Sequence, residues 1–303
     1  MRALVIGHGS IGVRHARILQ EEGCEVGVVS RREIEASPRY ATISEGVRGH
    51  RPEYVVVANR TSEHGAALEG LAAAGFKGTV LVEKPLFQDA RSVPENAFAG
   101  LLVAYNLRFH PGVRALREAL RGQRVLSVQA YAGQYLPTWR PGRDYREAYS
   151  ASRTQGGGVL RDLSHELDYL NWTLGGWTRV AAVGGQLSSL EIDSEDTVVM
   201  LAAFHACPAV SVQLNYLDRP GRRSVIANTD DHTVVLDFTE GYVQIDGART
   251  PFSAGRDDTY RAQHQAILSG EAADVCTVGE ALSVMHLVEA AERSLDSNQW
   301  ATR

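Results

Sequence analysis

One stretch of the sequence, GGGVLRDLSHELDYLNW at residues 156–172, combines a row of leucines with side chains that can exchange protons. A helix advances by about 100° per residue, which puts one face of it on Leu160, Leu163, Leu167, Leu170 and Leu174. The opposite face carries Asp162, His165, Asp168, Tyr169 and Trp172. A histidine among carboxylates suits general acid–base catalysis, and the aromatics favour a partly covered cleft. The alternative is the solvated face of an ordinary amphipathic helix.

The beginning of the chain has the order of elements that binds dinucleotides. A short apolar strand, MRALVI, stops at GHGSIG, and SIGVRHARILQEEG follows with helical periodicity. In this context Gly7 makes a tight turn, Gly9 lets the backbone approach a pyrophosphate and Gly12 lets helix and strand pack closely. The amides at the start of the helix, around Ser10 and Ile11, would face the phosphates. We therefore predict a nicotinamide dinucleotide site in this region.

The segment VVSRRE bears on the choice of cofactor. Rossmann sites specific for NAD usually have an Asp or Glu about 20 residues beyond the glycines. Here Ser30 brings no charge, whereas Arg31 and Arg32 can pair with a 2′-phosphate. We predict that NADP(H) is preferred and NAD(H) possible, with Asn59, after the strand YVVVA, as a further cofactor contact. The alternative is that both arginines are solvated charges.

Two different patterns of apolar and polar residues divide the chain. Apolar strands, including YVVVA (54–58), GTVLVE (78–83) and LLVAY (101–105), alternate with helical segments and predict a parallel, doubly wound sheet. Longer strands of alternating polarity follow, which is typical of an antiparallel sheet. We predict an α/β protein with a Rossmann domain over 1–120 and an α+β substrate-binding and oligomerisation domain over 121–303, whose open sheet is mainly antiparallel.

Composition and charge exclude several classes of function. The chain is 44% apolar and 22% charged with a net charge of −5, which provides no electrostatic footprint for nucleic acid or a membrane surface. Its cysteines, Cys24, Cys207 and Cys276, are widely spaced and suggest neither a disulfide framework nor a zinc site. No apolar run of about 20 residues occurs. We expect a cytoplasmic protein with a small-molecule substrate and no metal.

Glu83, Lys84 and Pro85 stand at the end of a predicted strand, where ligands of open α/β sheets gather. This Glu-Lys-Pro, together with GHGSIG, AYNLRFHP (104–111) and GGGVLRDLSHELD, resembles the Gfo/Idh/MocA family of NAD(P)-dependent oxidoreductases over nearly the whole chain. The resemblance implies hydride transfer on sugars, inositols or related polyols, and a homodimer or homotetramer joined through the open sheet. YLPTWRP, DYREAYSA and LSHELDYL resemble a subgroup associated with surface-polysaccharide and nonulosonic-acid biosynthesis.

The resemblance also assigns roles. The family's catalytic pattern falls on Lys84, Asp162 and His165, with Glu83 and Lys84 at the cofactor. Many members have the Asp four residues before the His, whereas here the gap is three. If positions are counted forward from the triple glycine, Asp162 occupies the family's acidic position, and we favour this alignment. If they are counted back from His165, Arg161 occupies it. His165 would take the hydroxyl proton, Lys84 would hold the substrate oxygen, and Asp162 would orient Lys84 or the substrate.

The segment YLPTWRPGRDYREAYSASRTQ, residues 135–155, precedes the catalytic helix and is expected at the cleft mouth. Arginines bind phosphate in a two-pronged way and aromatic faces pack on sugar rings, so this composition favours a phosphorylated or nucleotide-linked sugar. The predicted substrate-binding residues are Asn106, Arg108, Trp139, Arg140, Arg143, Tyr145 and Asp168. Alternatively, the segment's arginines tie an ordered loop together, and Asp168 either fixes His165 or belongs to a surface row.

A second class of function stays open. A Rossmann protein can sense NADP(H) and regulate a partner without chemistry. Such a sensor has no need of Lys84 and His165, and this chain has both, which favours the enzyme.

Overall fold

The computed structural model describes residues 1–34 and 38–303. The chain forms two compact units. The first comprises Met1–Phe109 and Gly255–Ala281, and the second comprises His110–Ala254 and Leu282–Arg303.

The helices are α1 (Ser10–Glu21), α2 (Ile43–His50), α3 (His64–Ala73), α4 (Pro111–Leu120), α5 (Val159–Asp162), α6 (Ser164–Leu174), α7 (Asp258–Ser269) and α8 (Val278–Ser297). The strands are β1 (Arg2–Ile6), β2 (Glu25–Val29), β3 (Arg39–Tyr40), β4 (Tyr54–Val57), β5 (Thr79–Val82), β6 (Gly100–Val103), β7 (Val125–Gly133), β8 (Trp177–Gly185), β9 (Thr197–Phe204), β10 (Cys207–Asn215), β11 (Arg222–Thr229), β12 (Thr233–Asp237), β13 (Tyr242–Ile245), β14 (Ala248–Pro251), β15 (Cys276–Thr277) and β16 (Ala301–Thr302).

The first unit is built on a doubly wound sheet. Across the described residues its strand order is β15-β6-β5-β4-β1-β2-β3, and every neighbouring pair is parallel except β15 with β6. β4 is buried along its whole length, as expected for a strand covered by helices on both faces. The predicted Rossmann fold is confirmed.

The second unit is built on an open sheet. Within the described residues the strand order is β14-β13-β12-β11-β7-β10-β9-β8-β16, with β7 and β10 parallel and the other neighbours antiparallel. Burial alternates along β9, because one face of the sheet packs on the core and the other faces outward. The predicted mainly antiparallel sheet is confirmed.

The two units divide differently from the boundary that the sequence suggests at residue 120. Pro111–Leu120 belongs to the second unit, where α4 packs on β12 so closely that a Cβ on Gly112 would lie 2.5 Å from Leu236. Residues 255–281 return to the first unit and supply α7 and β15. This return pairs segments far apart in the sequence, and local periodicity carries no information about such pairing.

Candidate active site

The glycine loop after β1 has the geometry that its three glycines imply. Gly7 has a φ of +102°, and a Cβ there would lie 2.7 Å from the Ala58 carbonyl oxygen. A Cβ on Gly12 would lie 2.1 Å from the carbonyl oxygen of Gly7, so the start of α1 folds tightly onto the loop. Gly9, the N-terminal cap of α1, faces open space with no atom within 4 Å of its Cβ position. This loop fits a diphosphate against backbone amides at the start of α1, beside the exposed Ser10 and the half-buried Ile11.

The end of β2 carries the predicted cofactor-selecting residues. The Ser30 hydroxyl is buried and accepts a hydrogen bond from the Arg32 backbone amide at 3.1 Å. Arg31 is 82% exposed and pairs with Glu63 at 2.6 Å. The Asn59 side-chain amide donates to the same Glu63 carboxylate at 3.4 Å. Glu63 therefore joins two of the predicted cofactor contacts, and nothing in the local sequence pattern around it indicates this.

The end of β5 places Glu83 and Lys84 side by side. Glu83 is mostly buried, and its Oε2 accepts a hydrogen bond from the Lys84 backbone amide at 3.2 Å. Its Oε1 lies 2.8 Å from Nε2 of His15 on α1. His64 reaches the carbonyl oxygens of Pro85 and Leu86 at 3.2 and 3.1 Å and so holds the backbone beyond Lys84. Lys84 itself is half-buried.

Asn106 and Arg108, predicted to contact substrate, are both buried in the first unit. The Asn106 amide donates to the Thr259 hydroxyl on α7 at 2.8 Å. The Arg108 side chain is 0% exposed and pairs with Glu280 at 3.0 Å. Glu280 also accepts from the Thr277 backbone amide. Burial acts to raise the pKa of Glu280, but Arg108 and the hydrogen bonds from Thr277 together outweigh it and lower that pKa. These contacts tie 255–281 to the rest of the unit, a structural role that sequence reasoning missed.

The predicted catalytic helix is two helical segments. α5 ends at Asp162, α6 begins at Ser164, and Leu163 between them has φ and ψ of −97° and 28°. The leucine stripe is buried as expected, with exposed fractions of 0% to 7%. The polar side is not a solvated face either, since Asp168 is 1% exposed and Tyr169 is 0% exposed. The prediction of one continuous helix was wrong, because the chain leaves the helical conformation at Leu163, between Asp162 and His165.

Asp162 is buried in the second unit and forms a cluster with two tyrosines. Tyr216, directly after β10, donates its hydroxyl to Asp162 Oδ2 at 2.7 Å. The Tyr149 hydroxyl also donates to Asp162, although Tyr149 as a whole residue is 40% exposed. Coulombic repulsion from Asp162 and burial raise the pKa of Tyr149 well above its ordinary value, and burial followed by Asp162 does the same for the pKa of Tyr216. Both phenols therefore stay protonated and serve as donors to one carboxylate.

Glycine allows this cluster to form. Gly157, within the triple glycine, approaches the backbone of Tyr149 so closely that a Cβ on it would lie 2.2 Å from the Tyr149 carbonyl oxygen. A Cβ on Gly158 would collide with Glu195, whose Oε1 accepts from the Leu160 amide at 3.3 Å. The triple glycine thus sets the approach of the 135–155 segment to α5.

The neighbours of Asp162 have different partners. Arg161 is turned to Glu292 on α8, with Nη2 3.2 Å from Oε2. Glu166 is fully buried and pairs with Arg223 on β11 at 2.8 Å. His165 is half-buried in the first turn of α6. Of the two candidates for the acidic position, Asp162 is therefore the one that enters the tyrosine cluster, while Arg161 is tied to α8.

Residues 135–155 form a pocket of about 440 Å³ within the second unit. Its lining includes the predicted residues Trp139, Arg140, Arg143 and Tyr145. Trp139 packs edge-on against Tyr216 with ring centroids 5.2 Å apart, and the Arg140 guanidinium lies 5.7 Å from the centre of the Tyr149 ring. Two residues that line the pocket, Trp139 and Arg140, therefore contact the two tyrosines that bind Asp162.

One acidic residue of this segment, Asp144, has an arginine partner within the segment. Asp144 accepts from Arg146 at 2.7 Å, and Arg146 also reaches Glu191 at 2.9 Å. The Tyr145 hydroxyl accepts from the Glu191 backbone amide at 3.2 Å. Arg146 thus offsets the charge of Asp144, which lines the pocket. For this one arginine, the contact agrees with the alternative interpretation, in which the arginines of the segment tie an ordered loop together.

Three residues of these clusters were not predicted from the sequence: His15, Glu63 and Tyr216. His15 had a signal, because a histidine in register with Ile11 and Ile18 lies on the apolar face of α1. Tyr216 had none, since its partner Asp162 is distant in the sequence. In the described residues, no group of three or more His, Cys, Asp or Glu side chains is arranged to hold a metal ion. In the same residues, no helix has the length and apolar character needed to cross a membrane.

Comparison with protein families gives two matches. Residues 1–98 match the oxidoreductase family model with an NAD-binding Rossmann fold, and residues 113–244 match the GFO/IDH/MocA C-terminal domain. The chain belongs to the Gfo/Idh/MocA family and is an NAD-binding oxidoreductase of that family. A comparison with curated protein sequences finds no match.

Solved structures share this fold over essentially the full chain. GenD2 from gentamicin A biosynthesis, in complex with NAD, is 23% identical with a TM-score of 0.81 and coverage of 100% of this chain and 96% of that one. The WlbA dehydrogenase of Bordetella pertussis, in complex with NADH and UDP-GlcNAcA, is 19% identical with a TM-score of 0.80, covering 100% and 98%. A levoglucosan dehydrogenase in complex with NADH is 15% identical with a TM-score of 0.83, covering 100% and 98%. At these identities the likeness establishes the fold.

Proposed function

We propose that the protein is an NAD(P)-dependent dehydrogenase or ketoreductase acting on a secondary hydroxyl or keto group of a nucleotide-linked or phosphorylated sugar. The observation that carries the substrate class is the pocket of residues 135–155, where Arg140 and Arg143 stand beside Trp139 and Tyr145. Guanidinium groups recognise phosphate oxygens in pairs, and the aromatic rings offer faces to a sugar or a base. The WlbA dehydrogenase, which has the same fold, binds UDP-GlcNAcA.

The reaction needs a proton acceptor and an oxyanion partner. The nicotinamide, when bound, takes or gives the hydride. His165 would accept the hydroxyl proton in the oxidative direction and return it in the reductive one. Lys84 would hold the substrate oxygen as negative charge develops on it. Asp162, held by Tyr149 and Tyr216, would orient the substrate or Lys84, and the buried Asp168 would support His165 from the same helix.

For the cofactor, we propose that NADP(H) binds more tightly than NAD(H). Ser30 presents no carboxylate to repel a 2′-phosphate, and Arg31 and Arg32 are both exposed after β2. Glu63 opposes this preference, because it already pairs with Arg31. Which cofactor binds more tightly depends on whether the 2′-phosphate of NADP(H) displaces the Glu63 carboxylate from Arg31.

The proposed assembly is a homodimer or homotetramer joined through the open sheet, in the cytoplasm. Val183, Leu201 and Ile226 are exposed on the second unit's sheet, at 64%, 55% and 37%. Apolar side chains on an open sheet favour pairing with a second copy. The three cysteines are free and buried, which suits a reducing compartment.

The test is a thermal-shift screen of sugars, sugar phosphates and nucleotide sugars in the presence of NADP(H), because a ligand that binds only the folded state raises the melting temperature. Hits are then assayed for turnover through the absorbance of the reduced nicotinamide. Turnover of a nucleotide sugar supports the proposal. Stabilisation and turnover with free sugars alone would overturn the substrate class. Cofactor binding without turnover on any candidate would favour a sensor.

A further inference from the structure

Three buried side chains of the first unit and the mostly buried Glu83 form a continuous chain of hydrogen bonds that ends at Lys84. The Tyr54 hydroxyl lies 3.0 Å from Nδ1 of His264, and Nε2 of His264 lies 2.8 Å from Nδ1 of His15. Nε2 of His15 lies 2.8 Å from Oε1 of Glu83. The other oxygen of Glu83 accepts from the Lys84 backbone amide at 3.2 Å. The first three links join side chains from β4, α7, α1 and the end of β5, and the last joins Glu83 to the backbone of the next residue.

We propose that His264, through His15 and Glu83, is a positioning residue that holds the backbone of Lys84 in place. This proposal rests on the proposed function in one respect, namely that Lys84 acts on the substrate. It does not depend on which sugar is bound.

The polarity of the chain can be worked out. Glu83 has no proton to give when ionised, so His15 must donate from Nε2 and, when neutral, accept at Nδ1. His264 then donates from Nε2 and accepts at Nδ1 from Tyr54. Burial lowers the pKa of His264 well below its ordinary value and raises that of Tyr54 well above, which suits a neutral ring and a protonated phenol. Every buried nitrogen and hydroxyl of the chain has a partner.

A charged His15 would leave this support intact. With both ring nitrogens protonated, His15 would donate to Nε2 of His264, and His264 would donate from Nδ1 to the Tyr54 oxygen. Glu83 receives an N–H from His15 in either case. The carboxylate therefore has a fixed donor on one oxygen, and its other oxygen is available to the Lys84 amide.

The position of His264 is itself fixed by the docking of α7 on α1. Arg261 donates to Glu22 at 2.7 Å, and Gln265 donates to the same carboxylate at 3.0 Å. At the N-terminal cap of α7, Asp257 pairs with Arg14 of α1 at 3.2 Å. Single exposed pairs contribute little stability, but several at one interface restrict how α7 can move. The returning segment 255–281 thus acts on the end of β5 through the contact of His264 with His15. These two residues are 249 positions apart in the sequence.

The experiment compares two variants of the same shape at one site. In His264→Gln the amide nitrogen can donate to His15 and the amide oxygen can accept from Tyr54, whereas His264→Met fills the space without hydrogen bonds. Tyr54→Phe is the matched control, because it removes a buried hydroxyl and leaves the His264–His15–Glu83 links in place. All three are expected to lower the melting temperature.

The first readout needs no turnover. Lys77 and Lys84 are the two lysines of the chain, so ¹³C-dimethylation gives one signal from each in addition to the N-terminus. We expect His264→Met to shift or broaden the Lys84 signal and to leave Lys77, which is exposed, unchanged. His264→Gln and Tyr54→Phe should retain the parental Lys84 signal.

The second readout is kinetic. We expect His264→Met to lower kcat by about 10-fold with the substrate KM unchanged, and His264→Gln to restore most of the loss. Equal behaviour of the Gln and Met variants, or an unmoved Lys84 signal in the folded Met variant, would overturn the proposal. If His264→Met does not fold, His15→Gln and His15→Met provide the same comparison. Full turnover in Lys84→Ala would instead refute the proposed function, and the lysine signals would still decide the positioning.

Discussion

The candidate catalytic groups of the two units are held by different kinds of contact. At the end of β5, the Lys84 backbone amide is bound to Glu83, and His15 and His264 support that carboxylate from α1 and α7. In the second unit, Asp162 is held by phenol hydroxyls from Tyr149 and Tyr216, and the first of these belongs to the segment that forms the arginine pocket. Lys84 is therefore held through its main-chain amide, whereas Asp162 is held through its side chain.

The difference fits the ligands that the two units are proposed to bind. A dinucleotide presents the same diphosphate in every family member, and backbone amides with close glycine contacts suit a constant group. Sugars differ at individual hydroxyls, and side chains such as Tyr149 and Arg140 can change one at a time without moving the backbone. We therefore expect substitutions among the pocket-lining residues of 135–155 to alter which substrate is used, and those at the end of β5 to alter the rate for every substrate.

The largest effect should come from the groups that touch the reacting atoms. Lys84→Ala and His165→Ala are each expected to lower turnover by roughly 100-fold or more, because each removes a charge or proton acceptor that acts in the transition state. Cofactor affinity should stay close to that of the parent, as measured by the fluorescence of the bound reduced nicotinamide.

Lys77→Ala is the matched control for Lys84, since the same substitution falls on an exposed residue before β5. Near-normal turnover in the Lys84 or His165 variant would refute the role assigned to that residue.

The next effect concerns the arginine pocket. Arg140→Ala and Arg143→Ala are each expected to lower kcat/KM for a nucleotide sugar by roughly 10- to 100-fold and to leave the matching free sugar nearly unchanged. The measurement is a comparison of both substrates for each variant. Arg153→Ala, an exposed arginine of the same segment outside the pocket lining, is the control. Equal losses on both substrates would show that the segment is structural.

A smaller effect is expected from the hydroxyls on Asp162. Tyr216→Phe and Tyr149→Phe each remove one donor and should lower kcat by about five- to ten-fold. The deciding measurement is a double-mutant cycle with Asp162→Asn, because the loss should shrink when the carboxylate is absent. Additive losses in the cycle would mean that the tyrosines act by packing and not through Asp162.

The smallest effect is expected at the exposed end of β2. Glu63→Gln releases Arg31 from its ion pair and should raise the affinity for NADP(H) relative to NAD(H) by about three- to ten-fold, whereas Arg31→Ala should lower this ratio by a similar factor. Dissociation constants for both cofactors, measured at one ionic strength, test this. An unchanged ratio in both variants, or tighter binding of NAD(H) than of NADP(H) by the parent, would contradict the proposed preference.

Features that depend on neighbouring residues were predictable from the chain alone. The apolar strands, the glycine turn before α1 and the alternating strands of the open sheet follow from periodicities that act over a few residues, and the structure confirms the fold they predict. The positive φ of Gly7 and the close contact at Gly12 follow in the same way, since the motif requires them.

The environment of the candidate catalytic groups was decided by folding. No local pattern pairs Tyr216 with Asp162, joins His264 to His15, or turns Arg161 towards Glu292, because each contact links segments that come together only when the units form. The break at Leu163 was hidden for a related reason: helical periodicity describes a regular helix and cannot register a single residue that leaves it. Chemical side chains are thus recognisable from their order in the chain, whereas the hydrogen bonds that orient them come from distant elements and require tertiary structure.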